Sequence, residues 1–207
     1  MKKKILAFFL CAAILLSLAC SGSAGGAIPA NKYGFAPYAL SKEEAELLEY
    51  FAIENTSQLL SFKAPKEATA VWVNIYRLGA NGQWSRIDSG GLDFINNTNS
   101  KNERSGVFAM RLYKDHTIEC HISAGGRFSV ATNTSETDGP GLSTAYAFLT
   151  QFQQAGLNEE VPVAMILNSA DTSAGMAALL NDFSEPSGLA GLDLVQAVTL
   201  TFTNSKV

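Results

Sequence analysis

The chain has 207 residues, of which 47% are hydrophobic and 16% are charged, so one domain with a substantial core is expected and intrinsic disorder is excluded. The formal net charge is −4, and the five arginines are scattered at positions 77, 86, 104, 111 and 127. No basic stripe results, and this argues against nucleic acid as a partner.

The N-terminus has the anatomy of an export signal. Lys2, Lys3 and Lys4 precede an uncharged run over residues 5–18. That run is too short to cross about 30 Å of hydrocarbon, but it suits the apolar region of a signal peptide. We therefore predict that residues 1–19 are a signal peptide and that the protein is exported.

The segment Ser17-Leu18-Ala19-Cys20 resembles the lipobox of bacterial lipoproteins, although its first two residues are in swapped order. The resemblance implies that Cys20 is lipidated and anchors the protein to the outer side of the cell membrane. Cleavage after Ala19 or Ala24 without lipidation would instead give a secreted protein. Removing residues 1–19 leaves 12 basic and 19 acidic residues, a net charge of −7. The membrane is therefore expected to be reached through the lipid rather than through basic side chains.

Cysteine usage fits an anchored protein. Cys11 leaves with the signal peptide, and lipidation of Cys20 would leave Cys120 without a partner. A disulfide scaffold is therefore excluded, and the hydrophobic core must hold the fold without cross-links.

Residues 20–40 begin with a Gly- and Ser-rich run and are predicted to be a flexible tether. Ser41 and Glu44 then have the spacing of a capping box, which predicts a short helix over about 42–52. The apolar residues at helical spacing in it are Leu47, Leu48 and Phe51.

Beyond the helix the apolar residues alternate with a period of two, which is typical of strands. Nine strands are predicted, over 59–62, 70–76, 83–87, 107–113, 117–123, 128–130, 143–152, 161–167 and 195–203. Segment 143–152 also fits a helix, and its β-prone residues decide for a strand. Gly90 and Gly91 are assigned to a loop. The predicted fold is mainly β, a single antiparallel β-sandwich of about nine strands over 41–207 with a short N-terminal helix.

Three short segments resemble those of a loose class of uncharacterised Gram-positive lipoproteins. They are Asn74-Ile75-Tyr76-Arg77-Leu78, the turn Gly82-Gln83-Trp84 and the final strand over 197–202. The resemblance implies a short helix followed by a β domain, and it brings no activity with it.

The familiar motifs of nucleophilic, zinc, dinucleotide, phosphate and redox sites are absent from the sequence, so we predict no catalytic residue, no cofactor and no metal. Glu119 and His121 share a strand face, but zinc sites use at least three protein ligands. Cys120 and His121 are adjacent in a strand, so their side chains point to opposite faces. A hydrolase with paired carboxylates, with Glu119 and Asp88 as possible members, is kept as the alternative.

The hairpin after the strand over 70–76 decides where the aromatic side chains lie. A three-residue loop, Ala80-Asn81-Gly82, pairs Leu78 with Trp84 and Ile75 with Ile87. This pairing places four side chains on one sheet face as the candidate ligand-binding surface. They are Trp72, Tyr76, Trp84 and Arg86.

The predicted function is that of an exported, lipid-anchored envelope protein that acts as a non-catalytic binding module for a glycan, a peptide or a partner protein. An extracellular hydrolase with a carboxylate site, or a structural envelope component, is the alternative. If the N-terminal helix or the opposite sheet covers the aromatic face, these side chains are part of the hydrophobic core and bind no ligand.

Overall fold

The computed structural model describes residues 27–94, 104–113, 115–132, 143–170, 178–189 and 191–205. The predicted signal peptide over 1–19 and the predicted lipidation site Cys20 lie outside these ranges. Within them the chain is mainly β, as predicted, and forms two antiparallel sheets of six and five strands. None of the helices in the described ranges is long and apolar enough to cross a membrane.

The first sheet contains β1 (Gly34–Pro37), β2 (Ser57–Lys63), β5 (Ser105–Leu112), β6 (Ile118–Ser123), β7 (Arg127–Ala131) and β9 (Gln153–Gln154). Its spatial order is β7-β6-β5-β2-β1-β9. The second sheet contains β3 (Ala70–Leu78), β4 (Trp84–Asp93), β8 (Ser143–Phe148), β10 (Glu160–Ser169) and β11 (Leu194–Thr203). Its order is β4-β3-β11-β10-β8. The two strands beyond the predicted nine are β1 and β9.

The two sheets pack against each other around one apolar core in a sandwich-like arrangement. The ring of Phe35 in β1 stacks on Phe202 in β11, with ring centroids 4.5 Å apart. Leu60 and Val73, one from each sheet, are fully buried in the same core. Cys120 is also fully buried and is a free thiol. Burial raises the pKa of this thiol, so it behaves as a small apolar side chain.

The tether predicted over 20–40 is wrong for residues 34–37. These residues form β1, which pairs with β2 on one side and with β9 on the other. Phe35 and Ala36 are fully buried. The glycine and proline that bound this strand suggest a loop, yet pairing with a distant partner strand gives it regular structure.

The predicted capping box is confirmed at the start of helix α1 (Lys42–Tyr50). The Glu44 amide donates to the Ser41 hydroxyl at 3.2 Å, and the Ser41 amide donates to the Glu44 carboxylate at 2.8 Å. The helix ends two residues before the predicted position 52, and none of its residues is buried. Leu47 is 53% exposed, so the helix contributes little to the core.

The three-residue hairpin loop is confirmed. Leu78 lies opposite Trp84, and the Gly79 amide donates to the Gln83 carbonyl at 2.9 Å. Gly82 has a φ of 71°, the left-handed conformation that this turn requires.

The predicted pairing of Ile75 with Ile87 is wrong. Ile75 lies opposite Asp88, because the register shifts at this point of the β3–β4 ladder. The shift leaves Ile87 as an extra residue in β4, where its side chain is 40% exposed instead of joining the core.

Gly90 and Gly91 belong to β4 and not to the predicted loop. A Cβ atom at Gly90 would lie 2.0 Å from the ring of Phe128 in β7. A Cβ atom at Gly91 would lie 2.7 Å from the Val71 carbonyl oxygen and 3.0 Å from the indole of Trp72 in β3. Neither glycine therefore has room for a side chain, and a sequence pattern cannot distinguish this crowding from a turn.

In the C-terminal third, the strand assignment of 143–152 is confirmed for β8 and ends at Phe148. Pro162 lies in β10 beside a register irregularity of the β10–β11 ladder. Leu180–Phe183 forms a 3₁₀ turn, and Pro186–Leu189 forms a second one. In β11, Val198, Leu200 and Phe202 face the core.

Candidate ligand-binding groove

The outer face of the second sheet, the face turned away from the core, has a covered half and an open half. Residues 178–189 and 191–192 pack on the covered half and form a second apolar cluster with the sheet. Its buried members are Met165, Leu167, Leu189, Val195 and Ala197. Neither α1 nor the first sheet takes part in this cluster, so the described residues cover the candidate surface only in part.

Trp84 belongs to the covered half. Its indole N–H donates to the Phe183 carbonyl oxygen at 2.9 Å, and the two rings lie 5.2 Å apart. Trp84 therefore lies on the predicted face, but it holds the 3₁₀ turn at Leu180–Phe183 against the sheet.

The open half contains a shallow groove of about 520 Å³. Three of the four predicted surface residues line it: Trp72, Tyr76 and Arg86. Sequence reasoning missed the polar residues that complete the lining, among them Asn74, Glu160 and Thr201. We call this feature the outer groove.

Glu160 is the fixed centre of the outer groove. Its Oε1 atom accepts hydrogen bonds from the Asn74 side-chain amide (Nδ2) at 2.9 Å, the Tyr76 hydroxyl at 2.8 Å and the Thr199 hydroxyl at 2.5 Å. The last donor, Thr199, is fully buried. Three donors on one oxygen fix the carboxylate in position and leave Oε2 without a hydrogen bond from the described residues, so Oε2 is placed to accept one from a ligand.

Tyr76 lies at the border between the two halves. Its ring is 5.5 Å from the ring of Phe183, and its hydroxyl reaches Glu160. Partial burial, together with the hydrogen bond to the Glu160 carboxylate, raises the pKa of Tyr76 to about 12. The phenol is therefore a neutral donor at any ordinary pH.

This pKa shift predicts a loss of stability at high pH. The folded state holds the Tyr76 proton more tightly than the unfolded state, whose pKa is about 10. The contribution is complete below about pH 10 and should disappear as the pH rises to about 12. Urea unfolding between pH 9 and 12 should show a steeper fall for the wild type than for Tyr76→Phe. Parallel curves would contradict the prediction.

Trp72 forms a flat platform beside the fixed carboxylate. It lies opposite Gly91, and the absence of a side chain there lets the indole lie over β4. The Trp72 side chain is partly exposed and lines the groove. Arg86 lies opposite Tyr76 and is exposed, so a guanidinium borders the other side of the groove.

The other candidates from the sequence do not meet at the outer groove. Glu119 lies on the outer face of the first sheet, where its carboxylate accepts from the Tyr113 hydroxyl and lies 3.3 Å from His121. Asp88 lies opposite Ile75, on the core side of β4. The structure therefore does not bring Glu119 and Asp88 together. Over the described ranges, no three His, Cys, Asp or Glu side chains gather as metal ligands would.

Two of the three missed residues, Asn74 and Thr201, could have been found from the alternation of residues along their strands. Asn74 lies between Trp72 and Tyr76 with the same parity, and Thr201 belongs to the outward-facing threonines of β11. Glu160 comes opposite Thr201 only through the long-range pairing of β10 with β11.

Comparisons of the chain with known protein families, with curated proteins and with solved structures give no significant match.

Proposed function

We propose that the protein is an exported envelope protein, anchored by a lipid on Cys20, whose β-sandwich binds a glycan in the outer groove without catalysing a reaction. The single observation that carries the glycan proposal is the fixed Glu160 carboxylate beside the Trp72 platform. The anchor rests on the lipobox-like segment that ends at Cys20.

A sugar ring suits the outer groove because its two kinds of surface match the two kinds of lining. The C–H face of a pyranose packs on an indole such as that of Trp72. Its hydroxyl groups both donate and accept, so they can donate to the Glu160 carboxylate and accept from Arg86. An apolar ligand would leave both charged groups desolvated and unpaired, which is costly.

Binding fits the groove better than hydrolysis does. Glycosidases that use two carboxylates need them on either side of the scissile bond. The two carboxylates considered from the sequence, Glu119 and Asp88, face other surfaces. Oε1 of Glu160 already accepts three hydrogen bonds, which fix this carboxylate in position as an acceptor.

Tryptophan fluorescence tests the groove, because the chain has two tryptophans and only Trp72 lines it. Titration of the exported domain with N-acetylglucosamine oligomers and other envelope oligosaccharides should change the emission. Trp72→Ala should weaken binding at least about 5-fold, since stacking of this kind is worth about 1 kcal/mol or more. Because this variant has lost the groove tryptophan, its binding is measured by calorimetry.

The matched control is Trp84→Phe, which keeps an aromatic ring on Phe183 outside the groove. It should bind as the wild type does. Equal losses in both variants, or no response to any oligosaccharide, would contradict glycan binding in the outer groove.

The anchor is tested by cell fractionation. Wild-type protein should remain with the membrane, and Cys20→Ala should be released or retained as an uncleaved precursor without lipid. Cys11→Ala, which changes the other cysteine of the N-terminal region, is the control and should remain anchored. Mass spectrometry that finds no lipid on the N-terminal peptide of the wild type would rule out the anchor.

A further inference from the structure

A second pocket, of about 610 Å³, lies on the core side of the second sheet and is separate from the outer groove. Its floor is formed by Tyr146, Ile166 and Gln196, which are neighbours in register on β8, β10 and β11. Ile53 and Leu112 contribute to the opposite wall. We call it the inner pocket.

Gln196 is the unusual residue of the inner pocket. It is fully buried, and neither its Nε2 nor its Oε1 atom has a hydrogen-bond partner in the described part of the chain. The next inward-facing residues of β11, Val198, Leu200 and Phe202, are all apolar. A buried amide without hydrogen-bond partners lowers the stability of the fold. An apolar residue of similar size at this position would avoid that loss of stability.

A second buried amide lies in the adjacent row of the same sheet face. Thr144 donates to the Asn168 Oδ1 atom at 2.7 Å, while the Asn168 Nδ2 atom has no partner among the described residues. Asn168 is fully buried. The polar character is therefore a property of this end of the sheet and is not confined to one side chain.

We propose that the inner pocket binds a small ligand that carries an amide on an apolar body, of the size of an acylated amino acid. The Gln196 amide is closed off from solvent, so a rotation of this side chain toward the pocket brings its unpaired donor and acceptor to the carbonyl and N–H of such an amide. Ile53, Leu112 and Ile166 offer the apolar contacts that a hydrocarbon side chain needs.

Arg111 extends the match to a carboxylate. It is exposed and lines the same pocket, and its guanidinium carbon is 4.6 Å from the centre of the Tyr113 ring. Stacking on the ring restricts the guanidinium without using all of its donors, so it can pair with a ligand carboxylate. The pocket volume lies within the usual range for small-molecule sites.

The proposal is tested with N-acetyl derivatives of aliphatic and aromatic amino acids as probes. Their binding to the exported domain is measured by calorimetry, with N-acetyl-L-leucine and its amide as the reference pair. The probe 4-methylpentanoic acid, which lacks the amide, should bind at least about 10-fold more weakly. If none of the derivatives binds at about 10 mM, the proposal is overturned and the pocket holds water alone.

The Gln196→Met variant separates a ligand site from a structural role. Methionine has a similar volume and no unpaired amide, so the melting temperature without ligand should rise by about 2–4 °C while probe binding is lost. A fall in melting temperature, or unchanged binding, would overturn the proposal. Gln83→Met, in the exposed hairpin loop, is the matched control and should change neither quantity.

The Arg111→Gln variant tests the proposed ligand orientation independently, because Arg111 is exposed and its replacement does not disturb the core. It should weaken binding of N-acetyl-L-leucine and leave binding of the amide form unchanged. Equal effects on both probes would remove Arg111 from the site and contradict the proposed orientation. Because the outer groove lies on the other face of the sheet, loss of glycan binding and loss of amide binding are distinguishable.

Discussion

Replacement of Phe35 by Ala should lower the free energy of unfolding by about 3–5 kcal/mol, the range for large-to-small changes at buried aromatic residues. Phe35 is fully buried and contacts both halves of the core. Its ring stacks on Phe202 of the second sheet and lies 6.5 Å from the ring of Phe62 in the first. Its loss would open a cavity where the two sheets meet.

Urea denaturation followed by circular dichroism measures this effect, because the midpoint reports stability when the slope is unchanged. Leu40→Ala is the matched control, since Leu40 lies in the same N-terminal segment and is 37% exposed. It should cost less than about 1 kcal/mol. A comparable loss for both variants would mean that β1 is not the part of the segment that supports the core.

The N-terminal segment shows which strands cannot be predicted from the local sequence. Alternating apolar residues identify the strands β3, β6 and β11, because each of these strands is long enough to show the alternation by itself. The four residues of β1 are too few for a pattern, and glycine and proline bound them. Their structure comes from pairing with β2, the next strand along the chain, and with β9, more than 100 residues later.

The residues of the candidate site also divide into those that local sequence predicts and those that only long-range contacts bring together. The loop length of the β3–β4 hairpin decides which residues of the two strands point to the same face of the sheet. The shared face of Trp72, Tyr76 and Arg86 therefore follows from the sequence. The covering of Trp84 depends on Phe183, about 100 residues later in the chain, and local patterns carry no information on that contact. Glu160 is brought to the groove by strand pairing alone.

The inner pocket was missed because its main residue violates the pattern used to find the core. Gln196 occupies an inward position of β11, where alternation predicts an apolar side chain. Polar exceptions at core positions are costly, and they are expected where a site requires them. Such an exception is visible in a sequence only after the face of the strand is known.

Replacement of Glu160 by Ala should remove glycan binding and lower the free energy of unfolding by about 1–3 kcal/mol, because two buried donors and one partly buried donor lose their acceptor. The buried donors are Asn74 and Thr199, and the partly buried donor is Tyr76. Glu160→Gln should cost less stability, since one side-chain oxygen remains as an acceptor. It should still weaken binding, because the hydrogen bonds to a charged oxygen are the stronger ones.

A tyrosinate titration followed by absorbance at high pH distinguishes this network from a general loss of structure. In both variants the pKa of Tyr76 should fall from about 12 towards its ordinary value, and part of the shift should persist because burial is its largest cause. The control Glu159→Gln changes a neighbouring carboxylate that accepts from the Gly156 amide, and it should leave this titration unchanged. If Tyr76 still titrates near pH 12 in folded Glu160→Ala, Glu160 does not organise the outer groove.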